Sequence, residues 1–213
     1  MKINSCFKLI FCSLVSSSYF MTLFKRKKRI NNRKAKRTTK GLIYNYMGQV
    51  DQDTWEFIEP LCGEDLIHKT REYVSWQVSN SQYMQTPVAT KHPHKTLETG
   101  LSNNIYIHNL SIIRDGVIIG FLSYIVNYNE FNVKYFLVKN DADYDVCIDA
   151  LMENFNKVKT KFIFTDDTRL SDTIRKRYKT IFTHKVTKKG LAHTDTKIDF
   201  DTVNILNRDG HFY

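Results

Sequence analysis

The chain has 213 residues, 42% hydrophobic and 13% aromatic, with 32 Lys and Arg against 22 Asp and Glu. That length fits one domain of ordinary size with appendages, and the apolar content excludes wholesale disorder. Four cysteines, at 6, 12, 62 and 147, lack metal-ligand spacing and are too sparse for a disulfide framework. No metal site is expected, and Cys62 and Cys147 are expected in or near the core.

Charge divides the chain. Residues 25–40 (KRKKRINNRKAKRTTK) hold ten Lys or Arg and no acid, and Lys2 and Lys8 lie upstream. Residues 41–213 therefore carry 20 bases against all 22 acids, a nearly neutral domain behind a basic arm.

Met1–Phe20 is an apolar extension with three readings: a signal-like segment, a disordered extension, or sequence upstream of a start at Met21. Its apolar centre, Leu9–Val15, is too short to span a bilayer. The basic cluster behind it opposes translocation, so no transmembrane segment and no secretion are expected. Residues 21–40 read as a disordered arm. Its Lys25, Arg26, Lys27, Lys28, Arg29, Arg33, Lys34, Lys36, Arg37 and Lys40 suit nonspecific phosphate contacts with nucleic acid or another polyanion. No aromatic residue interrupts 25–40, so base stacking within the arm is not indicated.

The third segment, 41–213, reads as one folded domain. Gly41–Val50 suits a first strand. Asp53-Thr54-Trp55-Glu56 has the pattern of a capped helix start with Asp53 at the cap, and a second helix is expected over 64–79. Trp55 and Trp76 are expected in the core or in a lid. Residues 80–104 break the pattern as a long polar loop, in which His92 and His94 are too weak a pair for a metal.

Ile105–Arg114 and Val117–Asn127 flank Asp115-Gly116, a strong hairpin signal; the mixed pattern of the first and the nearly continuous apolar run Val117–Val126 in the second both suit strands covered on two faces. In Phe131–Lys139, strict alternation puts Phe131, Val133, Tyr135 and Leu137 on one face. A helix then starts near Asp143, with Asp141, Asp143 and Asp145 at its entry. The first two are placed to satisfy its free amides. Lys161–Thr165 reads as a short buried strand, and Asp166-Asp167-Thr168 opens a helix with Leu170, Ile174, Tyr178 and Ile181 inward. Two closing strands are expected at Phe182–Thr187 and Leu191–Phe200.

The hairpin strand DGVIIGFLSY, the unit FNVKYFLVK…DVCIDALMENF and the run KFIFTDDTRLSDTIRKRYKTIF together resemble the GNAT (acyl-CoA N-acyltransferase) superfamily. The resemblance implies an α+β fold, a mixed and mostly antiparallel sheet flanked by about four helices. It places the acyl-CoA site at Val138, Lys139, Asn140, Asp141, Ala142, Asp143 and Tyr144. It also implies Tyr178 as general acid and Glu130 as general base, with acetyl-CoA as cofactor, if the chain is active. Where the family keeps glycines, this stretch has none, and its aspartates oppose a pyrophosphate. The favoured expectation is a non-catalytic structural or interaction protein with a degenerate site and no cofactor. An N-acetyltransferase and a nonspecific nucleic-acid-binding accessory protein are the alternatives. A weaker resemblance to GNAT-like internal virion proteins of short-tailed bacteriophages implies protein partners in an assembly, and a cytoplasmic or virion location.

Overall fold

The computed structural model describes residues 29–80, 105–127, 129–158, 160–185 and 207–209. Strands β1 (Ile43–Met47), β2 (Tyr106–Arg114), β3 (Val117–Asn127) and β4 (Glu130–Val138) lie side by side and antiparallel. The fifth, β5 (Phe162–Phe164), joins β4 in parallel at the sheet edge. Five helices accompany the sheet: α1 over residues 29–38, α2 (Gln52–Ile58), α3 (Arg71–Gln77), α4 (Asp141–Lys157) and α5 (Thr168–Arg177). A 3-10 turn follows at Asn207–Asp209.

The β2–β3 hairpin forms as its turn chemistry dictates. Asp115 and Gly116 take φ of 52° and 80°, the two positive values that a type I′ connection needs. Both faces of the sheet are covered. On one, Leu110, Leu122, Phe131 and Phe136 pack against Ile148 and Leu151 of α4, Leu170 and Ile174 of α5, and Ala35 of α1. On the other, Ile107, Phe121, Tyr135 and Leu137 meet Trp55 and Ile58 of α2 and Val74 of α3. Cys147 lies in the first core and Cys62 in the second; burial pushes each thiol up to about 12. Buried polar groups find partners: the Asn109 amide donates to the Val78 carbonyl at 2.8 Å and accepts from Ser123 Oγ at 2.7 Å.

The alternation expected in β4 fails at one residue. Tyr124 pairs with Val133 and Ser123 with Tyr135, so the register shifts across Lys134. This bulge reverses the faces beyond it. Phe131 and Val133 join the α4 core, Tyr135 and Leu137 the α2 core, and Phe136 returns to the first.

Several expected elements differ. Residues 29–38 of the arm form α1 rather than disordered chain, because Ala35 and Thr39 are buried against the domain. Thr39 Oγ1 donates to the Ala35 carbonyl at 3.1 Å and to Glu153 at 2.6 Å, and Gly41, at φ 94°, turns the chain into β1. The α2 cap is Asp51, whose side chain accepts from Thr54 N, and not Asp53. Helix α3 begins only after Thr70, its N-cap. Trp55 is core, whereas Trp76 is half exposed. Strand β5 has exposed Phe162 and Phe164, because it is an edge strand of three residues and not a buried one. Ile181 is exposed, and residues 182–185 are not a strand. Leu191–Phe200, His92, His94, Cys6, Cys12, Met1–Phe20 and Lys25–Lys28 lie outside the described residues.

Candidate functional site

The stretch Val138–Tyr144 closes β4 and opens α4. Asn140 is the N-cap in an extended conformation, but its side chain makes no capping bond, and neither Asp141 nor Asp143 caps the helix. The aspartates instead fan out to three arginines from elsewhere. Asp141 pairs with Arg169 of α5 at 2.7 Å, buried Asp143 pairs with Arg114 of β2, and Asp145 pairs with Arg177. The expectation that these acids satisfy the helix amides is therefore corrected. Positions 1 and 5 of a helix share a face, here turned toward the arginines of α5, whereas position 3 points away from it, toward Arg114 of β2. Their negative field is largely compensated, so repulsion of a phosphate here is weaker than the sequence implies.

Backbone geometry speaks more directly. Among the described residues only Gly41, Asp115 and Gly116 have positive φ, so Val138–Tyr144 contains no left-handed residue. Successive N–H groups there do not converge into the concave nest that holds a pyrophosphate. Lys139, Asn140, Asp141 and Ala142 are exposed. Tyr144 lies beneath Arg169, whose guanidinium carbon sits 3.9 Å from the ring centroid, and its edge meets Phe136. The Tyr144 hydroxyl oxygen is buried and finds no hydrogen-bond partner among the described residues.

β4 and β5 pair only from Glu130–Phe162 to Asn132–Phe164, and then part. Where they separate, the Lys134 bulge, Thr165, Asp166, Asp167 and Arg208 line a cavity of about 20 Å³. That holds about one water. Burial lowers the Lys134 ammonium to about 8. The Asn207–Asp209 turn runs beside β4 here. Buried charges clamp it: Arg208 binds Asp65 at 2.7 and 2.9 Å, and Lys69 meets Asp209 at 3.0 Å.

Tyr178 is buried where α4, α5 and α1 meet. Its hydroxyl donates to Asp149, and Lys34 Nζ stands 5.2 Å from its ring centroid. Burial, with the Asp149 carboxylate, raises its pKa well above the usual tyrosine range. Arg177 binds Asp149 at 2.6 Å beside it. Glu130 lies at the start of β4, paired across the sheet with Asn127 and Phe162. No hydrogen bond or ion pair joins Glu130 to Tyr178, and the structure does not assemble them into one catalytic group. His108, whose imidazole is a second candidate base beside Glu130, stacks on Tyr124 at 5.1 Å, and burial lowers its pKa.

The basic residues of α1 are ordered by the helix. Arg29, Arg33, Lys36 and Arg37 are exposed and recur at i, i+4, i+7 and i+8, a single stripe, and exposed Lys40 follows two residues past the helix end. None of the five forms an ion pair among the described residues. Asn31, Lys34, Ala35 and Thr39 form the docked side. Asn31 Nδ2 donates to the Lys179 carbonyl at 3.1 Å and its Oδ1 accepts from Lys179 N at 3.3 Å, while Lys34 Nζ donates to the Arg177 carbonyl at 2.6 Å. The cations thus fall into two sets, one anchoring the helix and one facing water. Sequence reasoning missed this division, although the spacing of the small and amide residues at 31, 35 and 39 carried it. It also missed Lys134, for which alternation gives no signal.

Among the described residues, no helix is long and apolar enough to cross a membrane. No protein-family model, curated protein or solved structure matches the chain.

Proposed function

We propose that this protein is a non-catalytic interaction protein: an acyltransferase-like α+β scaffold with a degenerate cofactor site, which holds a polyanion on the basic stripe of α1. The single observation that carries this reading is the stripe itself. Four cations on one exposed face of α1, and Lys40 just past its end, form no ion pair among the described residues, while Lys34, on another side, is spent on docking. Five phosphate contacts would give single-stranded nucleic acid a log–log salt slope of about −3.5, at roughly −0.7 per contact. The GNAT likeness rests on element order: a strand, two helices, three antiparallel strands, then a helix, a parallel strand and a helix. A place in a virion remains part of the same proposal and draws only on the sequence resemblance.

The test is nucleic-acid retention by the full chain across a salt series. Arg29→Glu, Arg33→Glu and Arg37→Glu combined should abolish binding at low salt and leave the circular dichroism spectrum unchanged. Undiminished retention by this variant would overturn the reading.

A second reading, transfer of an acyl group from acyl-CoA to an amine, draws on the parting of β4 and β5 beside a bulge. Against it stands the cavity there, about 20 Å³ where ligand pockets run to roughly 300–1,000 Å³. Calorimetry with acetyl-CoA discriminates: micromolar binding would favour transfer and make Tyr178 and Glu130 the first residues to substitute.

A further inference from the structure

Exposed cations are not confined to α1. Reciprocal hydrogen bonds between Asn31 and Lys179 set the first turns of α1 against the chain leaving α5. The end of α5 is itself cationic, with Arg175, Lys176 and Arg177 in its last turn. Arg177 is committed to Asp145 and Asp149, whereas Lys176 and Lys179 form no ion pair among the described residues. Arg175 faces Asp172 at 3.4 Å, both about half exposed, a contact that water and salt weaken readily.

Beside these cations lies an open groove of about 630 Å³, lined by Asp172, Arg175, Lys176, Thr180, Ile181, Phe182 and Thr183. Phe182 is 67% exposed, and its ring stands 6.2 Å from that of Phe162 on the sheet edge, itself 42% exposed. Exposed rings next to cations have a recurrent use. Cations track a phosphate backbone while aromatic faces stack unpaired bases.

We propose that this groove binds single-stranded nucleic acid, with phosphates along α1 and on Lys176 and Lys179, and a base stacked on Phe182. The inference rests on the polyanion reading of α1 and narrows its ligand. A duplex could use the cations but not the ring, since its bases are already stacked and paired. A bilayer is the poorer fit, because the feature is concave and carries Thr180 and Thr183 beside the aromatic residue. Asp172 is the acid in the groove, and Arg175 screens it.

Fluorescence anisotropy of the full chain with labelled dT20, with a dT20·dA20 duplex, and with phosphatidylserine vesicles as competitor tests the site. Because Phe182 is largely exposed, Phe182→Ala should leave the unfolding midpoint unchanged. It should weaken dT20 binding roughly 5- to 100-fold, with duplex affinity unaltered and Phe182→Trp restoring the loss. Equal effects on dT20 and duplex, or none on either, would overturn the stacking site while the charge-reversed α1 variant still reported on the broader reading. If Phe182→Ala instead releases the protein from vesicles and spares dT20, the groove is a membrane contact and the proposal fails. If the charge-reversed variant binds both DNAs as well as the parent does, both proposals fall together.

Discussion

Lys34 of α1 reaches the last turn of α5, where its ammonium donates to the Arg177 carbonyl at 2.6 Å and lies 5.2 Å from the Tyr178 ring centroid. A cation there meets the negative end of the α5 dipole as well as an orphan carbonyl. Lys34→Met should therefore loosen α1 without unfolding the domain. Amide protection over residues 35–38 is expected to fall about 5- to 10-fold, with the urea midpoint nearly unchanged. A midpoint that falls in step with protection would mean α1 belongs to the cooperative core instead.

The pair Arg114–Asp143 joins a half-exposed guanidinium to a buried carboxylate. Arg114→Ala strands that carboxylate and should cost about 2–3 kcal/mol in denaturant unfolding, somewhat less than a fully buried pair. Arg114→Ala with Asp143→Asn removes the charge that was stranded. The double variant should be more stable than Arg114→Ala alone, and the reverse order would refute the assignment of Asp143 as the dependent partner.

Gly120 has no room for a side chain. A Cβ there would lie 2.8 Å from Cys147 Sγ and 3.3 Å from the Leu137 carbonyl oxygen. Gly120→Ala should destabilise by about 1–3 kcal/mol. Adding Cys147→Ala removes the closer of the two obstacles and should recover part of that loss, as a double-mutant cycle would measure.

Lys134 makes the pH dependence calculable. Burial lowers its pKa from 10.5 to about 8, so between these values the unfolded chain binds the extra proton and stability rises with pH. Below about 8 the full penalty applies. Lys134→Met, similar in length and uncharged, is expected to gain about 1–3 kcal/mol at pH 7. That advantage should shrink as pH climbs toward 10.5. A gain that is constant with pH would show that packing, not the charge, decides it.

Sequence pattern carried the centre of the fold well. Strands β2, β3 and β4 fall within a residue or so of their expected bounds, since Asp115-Gly116 fixes the hairpin and apolar runs mark the strands. What escaped has long-range causes. Residues 64–70, ahead of α3, are not helical as expected. There, Asp65 and Lys69 are held by Arg208 and Asp209, some 140 residues away, and no local periodicity announces that. The bulge at Lys134 escaped because alternation extends silently across a register shift. The α4 aspartates were read as caps because their partners, Arg114, Arg169 and Arg177, belong to other elements. The arm was read as disordered because a helix with Ala35 as its only buried apolar side chain carries no apolar stripe.

The docking of α1 also sets an order of events during synthesis. Asn31 and Lys179 are 148 residues apart, and Lys34 and Arg177 are 143 apart, so the anchors of the earliest described helix emerge among the last. A helix this short, with one buried apolar residue, has little to hold it in isolation. It must wait, exposed and strongly cationic, until α4 and α5 have settled on the sheet. A nascent chain of this protein therefore exposes a basic segment without fixed shape first, and an ordered cationic surface only when nearly complete.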